Sequence, residues 1–272
     1  MPEKNIRFLT WLFLTTIIFP LSVAAGWPGK PVSLVEVSSR SADFFPVSVW
    51  YTGGKVRAPM IENVTPASAA IWKKDLEQIK KLGFNTVRGW IEWSYNEKQE
   101  GQYDFSALKL LTDLAGEVGL KVICQVYIDS APDWVGQKYP DSAFVASNDL
   151  KIHSQAAPGF CFDHPQVQAK IINFLTEAAR AVRGKPAFYG WDLWSEPHII
   201  NWSEVYQLGN LNYLQFCYCP SSQARFRSWL EKRYGKIEAL NEAWHRTFKS
   251  FAEVEPPRFG TILTYTDYID WQ

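Results

Sequence analysis

The segment Phe188-Tyr-Gly-Trp-Asp-Leu-Trp-Ser-Glu-Pro-His198 places one carboxylate, Glu196, at the end of what reads as a short buried strand. Packing gives a strand no use for an acid at that end, because an ionised carboxylate there must be solvated or paired. In a barrel of alternating strands and helices, that end is where catalytic groups sit. Framed by Trp191, Trp194 and Trp202, Glu196 fits a proton donor facing a sugar ring. The chain carries 13 Trp, 12 Tyr and 17 Phe. Such rings fill cores in general, and stack on sugars where several crowd one strand end.

The elements that must position Glu196 alternate regularly. Strand patterns at 45–51, 85–93, 121–128 and 187–194 are separated by helical patterns at 69–82, 105–118 and 165–182, and two more helices cover 221–234 and 237–248. Gly83, Gly119 and Gly184 close the first three helices. Strands alternating with helices imply a parallel sheet, and these strands look mostly apolar on both faces, as burial under helices would require. Long segments follow the strands (94–104, 129–164, 195–220), which favours a (β/α)8 TIM-type barrel with elaborated loops on one face. An open doubly wound sheet is the alternative, but no glycine-rich phosphate loop follows the first strand. A closed barrel takes about 250 residues or more. Residues 45–272 accommodate only about the first four β/α units, so a truncated barrel is expected.

Composition narrows the partners. With 28 basic and 28 acidic side chains in 272 residues, the formal net charge is zero, which argues against nucleic acid. Lys4 and Arg7, the apolar run Phe8 to Val23 and the small residues Val23-Ala24-Ala25 make residues 1–25 a secretory signal peptide. The run is short for a membrane span, so the mature chain is expected to be secreted or periplasmic and free of the membrane. Residues 26–44 form a polar leader, and the barrel portion starts at 45. Export makes disulfides permissible for Cys161, Cys217 and Cys219, whereas Cys124 lies in the apolar run Val122 to Val126 as a small buried hydrophobe.

Several motifs carry a family resemblance: Leu82-Gly-Phe-Asn-Thr-Val-Arg88, Glu100-Gly-Gln-Tyr-Asp-Phe105, Ala131-Pro-Asp-Trp134, Trp-Ser-Glu-Pro, Phe226-Arg-Ser-Trp-Leu-Glu-Lys-Arg-Tyr-Gly235 and Leu240-Asn-Glu-Ala-Trp244. Over roughly residues 45–272 the chain resembles the N-terminal half of glycoside hydrolase family 42, the bacterial beta-galactosidases. The resemblance implies retaining hydrolysis of a β-linked oligosaccharide or glycoside without a cofactor for the chemistry. It makes Glu196 the acid/base and places the nucleophile on a seventh strand, beyond the C-terminus, so the 272 residues alone are expected to be inactive. Retention needs the two carboxylates about 5–5.5 Å apart. Family members are often trimers, and a homo-oligomer is among the expectations.

The remaining site residues come partly from the resemblance and partly from their places on the strands. Arg88 either supports the catalytic carboxylates or makes a structural ion pair. Trp90 and Trp93 straddle one strand end, one to pave a sugar site and one for the core, and Trp93 joins Arg88, Trp194 and Ser195 as the candidate substrate contacts. Asp192 shares the face of Glu196 deeper in the barrel and needs a partner, Glu92 either supports the site acids from behind or faces helix or solvent, and His198 reads first as a loop histidine and only then as a ligand. Family members often bind a structural zinc through one cysteine followed by a C-x-C-x-x-C run. Cys161 and Cys217-Tyr-Cys219-Pro-Ser-Ser222 fit that pattern with serine in the last place, leaving zinc and a disulfide both open. The family's Asn before the acid/base is Ser195 here, and Ala157 replaces an arginine. Both point toward a same-clan glycosidase acting on another sugar. A degenerate, non-catalytic carbohydrate-binding chain is the rival from another class.

Overall fold

The structure is a computed structural model that describes residues 44–55, 60–156, 159–193, 215–258 and 266–271. Residues Phe45–Gln272 cluster as one unit and Met1–Phe44 as another. Four strands form one parallel sheet in the order β1 (Ser48–Trp50), β2 (Thr86–Glu92), β3 (Lys121–Tyr127) and β4 (Phe188–Asp192). Chain order equals spatial order, which is how strands run around a barrel wall and is not the order of a doubly wound sheet. Helices α1 (Ser68–Lys81), α3 (Ser106–Glu117) and α5 (Pro165–Val182) make the crossovers. Short helices α2 (Trp93–Asn96) and α4 (Asp133–Lys138) follow β2 and β3, and α6 (Pro220–Tyr234), α7 (Ile237–Trp244) and α8 (Thr266–Trp271) complete the described set.

The helix ends follow from local chemistry. At the start of α5, Pro165 needs no backbone donor and the His164 side chain accepts from the Val167 amide at 3.4 Å. Gly83, Gly119 and Gly184 take up φ values of +93°, +74° and +76°, which reverse the chain at low steric cost. Among the described residues no helix is long and apolar enough to cross a membrane.

The strands differ from expectation in one respect. The two faces differ: on one, Val87, Ile91, Val122, Cys124 and Val126 pack with Leu76, Leu108, Leu111 and Phe174 of the helices in the main core. The other face carries the charged and polar groups, with Arg88, Trp90 and Glu92 on β2, Ile123, Gln125 and Tyr127 on β3, and Asp192 on β4. A period of two along each strand separates these sets. Helices cover the first face, and the second, which holds the charged groups, is the side that a barrel wall turns to its interior.

Candidate functional site

The inner face is organised around Arg88. Its Nη2 pairs with Asp192 Oδ2 across two strands and donates to Gln125 Oε1 at 2.9 Å, while its Cζ lies 4.3 Å above the Trp50 ring. Arg88 and Asp192 are about a quarter exposed, so each is desolvated enough to need the other. Burial lowers the guanidinium from its ordinary value, yet an arginine stays charged at that level. Asp192 therefore has the partner that its place on the strand demanded, and it ends β4 four positions before Glu196.

One step further along the strands lies an aromatic shelf. Trp90 stacks on Tyr127 with centroids 5.5 Å apart and an interplanar angle of 14°, and meets Trp50 edge-on at 5.6 Å. The buried Trp90 Nε1 has no hydrogen-bond partner among the described residues, so a donor sits at the strand end without an acceptor. The Tyr127 hydroxyl is raised well above its ordinary range, first by burial and then by the negative charges of Asp129 and Glu92. Glu92 shares this face by strand alternation and accepts from Ser94 Oγ of α2 at 2.5 Å.

Two expected aromatic contacts require correction. Trp93 is fully buried, ringed by Trp134, Phe160 and Phe174 with centroids at 6.2, 5.4 and 6.2 Å, and donates through Nε1 to Glu97 Oε2 at 2.7 Å. The strand ends at Glu92 and α2 begins at Trp93, so strand alternation no longer applies and the indole turns into the core. Trp191 pairs in register with Cys124, packs against the main core and so faces the helices, opposite to Asp192. Glu196, Trp194, Ser195, His198, Trp202 and Ala157 lie outside the described residues.

Cys161, Cys217 and Cys219 converge. They are buried free thiols, with the three Sγ atoms within 4.8 Å of one another. Each sulfur accepts one backbone N–H: Asp163 to Cys161 at 3.3 Å, Val145 to Cys217 at 3.3 Å and Ser222 to Cys219 at 3.4 Å. Cys219 caps α6, and contacts with Cys161 and Cys217 lower its thiol while the same cluster raises Cys217. Cys124 stands apart in the core, its thiol pushed up to about 12 by burial. A separate cavity of about 310 Å³, lined by Asp133, Gln137, Tyr139, His153 and Ser154, shares no residue with either group.

A family model described as beta-galactosidase, glycoside hydrolase family 42, matches residues 63–272. The chain belongs to glycoside hydrolase family 42. A beta-galactosidase of Thermus thermophilus is 32% identical over 193 residues, covering 68% of this chain and 28% of that protein. Beta-galactosidase bgaB of Geobacillus kaustophilus is 27% identical, covering 74% and 29%. A solved catalytic mutant of Gan42B, a family 42 beta-galactosidase from G. stearothermophilus, superposes with a TM-score of 0.62 at 26% identity, covering 74% of this chain and 28% of that one. The chain thus spans less than a third of the length of the relatives it matches. Against these family 42 barrels, the four parallel strands align as a partial barrel.

Sequence reasoning weighed Arg88 and Asp192 singly and missed their contact, along with Trp50, Gln125 and Tyr127. The signal was the period-two alternation, which puts Arg88, Gln125 and Asp192 on one face once adjacent strands are aligned. Arg88→Lys keeps the charge but cannot reach Asp192 and Gln125 together from above Trp50. We expect it to cost about 1–2 kcal/mol in urea unfolding; unchanged stability would mean that the pair is only a surface contact.

Proposed function

We propose retaining hydrolysis of β-glycosidic bonds, with β-galactosides as the first substrate class and Glu196 as the acid/base. The observation that carries this reading is the Arg88–Asp192–Gln125 group on the inner face, beneath the strand end from which Glu196 follows in sequence. In this reading Glu196 protonates the departing glycosidic oxygen and then deprotonates the attacking water. A carboxylate beyond Gln272 attacks the sugar's anomeric carbon, as two-carboxylate retention requires. Arg88 fixes Asp192, and the Trp50–Trp90–Tyr127 shelf offers ring faces at the strand ends. Residues 1–25 direct export, on their charged start and apolar run.

A second reading, a same-clan glycosidase acting on another sugar, is favoured by Ser195 and Ala157. Serine keeps a donor and an acceptor but is shorter than asparagine, so a contact to a sugar hydroxyl needs a bridging water. A panel of nitrophenyl glycosides, assayed on the 272 residues and on a chain extended to the length of the relatives, tests both. The expected outcome is hydrolysis of the β-galactoside by the extended chain and none by the 272 residues. Preference for another β-glycoside would support the second reading, and hydrolysis by the 272 residues would refute a nucleophile beyond Gln272.

The same proposal includes a structural zinc at the three cysteines. Buried sulfurs this close, each already receiving an N–H, fit thiolate ligands. The metal would tie the segment after β3, which carries Cys161, to the start of α6. It would take no part in the hydrolytic steps.

A further inference from the structure

Three sulfurs leave one vertex of a tetrahedral site open, and one polar side chain lies directly beside them. Ser222 Oγ lies 3.0 Å from Cys161 Sγ, on a residue that is 7% exposed, while its own backbone amide donates to Cys219 Sγ. The hydroxyl proton is directed elsewhere: Ser222 Oγ donates to Asp163 Oδ2 at 3.0 Å. The other oxygen of Asp163 is held by Arg225 Nη1 at 2.7 Å. A hydroxyl that donates to a fixed carboxylate presents its lone pairs to the opposite side. Ligands to a metal are oriented by hydrogen bonds of this kind.

Building on the metal reading, we propose that Ser222 Oγ is the fourth ligand of a divalent cation held by Cys161, Cys217 and Cys219. The site is then a three-sulfur, one-oxygen site, with Asp163 and Arg225 orienting the oxygen. The distances suit it. With Zn–S of about 2.3 Å and Zn–O of about 2.0 Å, tetrahedral edges are roughly 3.8 Å between sulfurs and roughly 3.5 Å from sulfur to oxygen. Sulfurs within 4.8 Å of one another accommodate the first edge, and the 3.0 Å contact meets the second by opening about half an ångström. A carboxylate that accepts the hydroxyl proton strengthens the oxygen as a donor to the metal.

The test loads the purified chain with Co²⁺ and reads its thiolate charge-transfer and ligand-field bands, then measures Zn²⁺ retention against a chromogenic chelator. One equivalent of Co²⁺ with a tetrahedral three-thiolate spectrum is expected. Ser222→Ala should shift the ligand-field bands, and Asp163→Ala should lower Zn²⁺ affinity by about 10–100-fold. Ser222→Cys should convert the spectrum to that of four thiolates and retain Zn²⁺ more strongly. Bound metal with bands and affinity unchanged in Ser222→Ala would overturn Ser222 as a ligand while leaving the metal reading intact. Should that variant fail to fold, unchanged Zn²⁺ affinity in Asp163→Ala overturns the inference equally. Wild-type protein that takes up no metal, or whose thiol count reveals a disulfide, would overturn both readings.

Discussion

Glu196→Gln, in a chain extended to the length of the relatives, is expected to lose about 10²–10⁴-fold in kcat on an alkyl or disaccharide β-glycoside, with the fold intact. The amide has nearly the shape of the acid but can neither give a proton to the leaving oxygen nor take one from water. The loss should shrink on a nitrophenyl glycoside, whose leaving group departs without protonation. What remains there is the second half of the reaction, in which water must still be deprotonated. Added azide, which needs no deprotonation, should restore part of that rate. Wild-type rates in Glu196→Gln on both classes of substrate would remove this residue from the chemistry.

Trp93→Ala is expected to destabilise the fold by about 3–5 kcal/mol, the range for emptying an aromatic site in a core. The indole is fully buried among Trp134, Phe160 and Phe174, and three packed rings cannot collapse into the space without moving α5 and the segment after β3. There is a polar component as well. Glu97, 1% exposed, accepts from Trp93 Nε1 at 2.7 Å and from the Gly101 amide at 2.8 Å, so the alanine variant strips a donor from a buried carboxylate. An unmet buried acceptor of this type costs about 1–3 kcal/mol. Whole domains are stable by only about 5–15 kcal/mol, so the loss is a large share of the total. Urea unfolding reads it directly. Trp93→Phe, which keeps most of the ring but not the N–H, should lose less stability and leave KM unchanged. A raised KM at unchanged stability would return Trp93 to the sugar site.

The two corrected tryptophans have different origins. Trp191 follows from alternation within β4: Asp192 faces inward, so its neighbour cannot. Trp93 was undecidable by that rule, because the register of faces is lost where β2 gives way to α2. A helix of four residues leaves no periodic trace in the sequence, and α4 and α8 escaped notice for the same reason. The long helices did not. The apolar spacing over 165–182, opened by a proline and followed by a glycine, matches α5 residue for residue.

The sequence by itself determined the alternation of strands and helices, the parallel partial barrel, and the membership in family 42 that its motifs announce. These rest on periodicity and on local chemistry at helix ends, which neighbouring residues impose on one another. Only the tertiary structure decided which groups meet. Arg88 and Asp192 stand 104 residues apart, and Cys161 and Ser222 stand 61 apart. Such pairs depend on sheet register and on how two long loops close, and no short-range pattern encodes that. The inner face looked apolar in one dimension because alternating residues were read together. Folded into a sheet, the same residues separate into a core and a face that gathers the charged and aromatic groups.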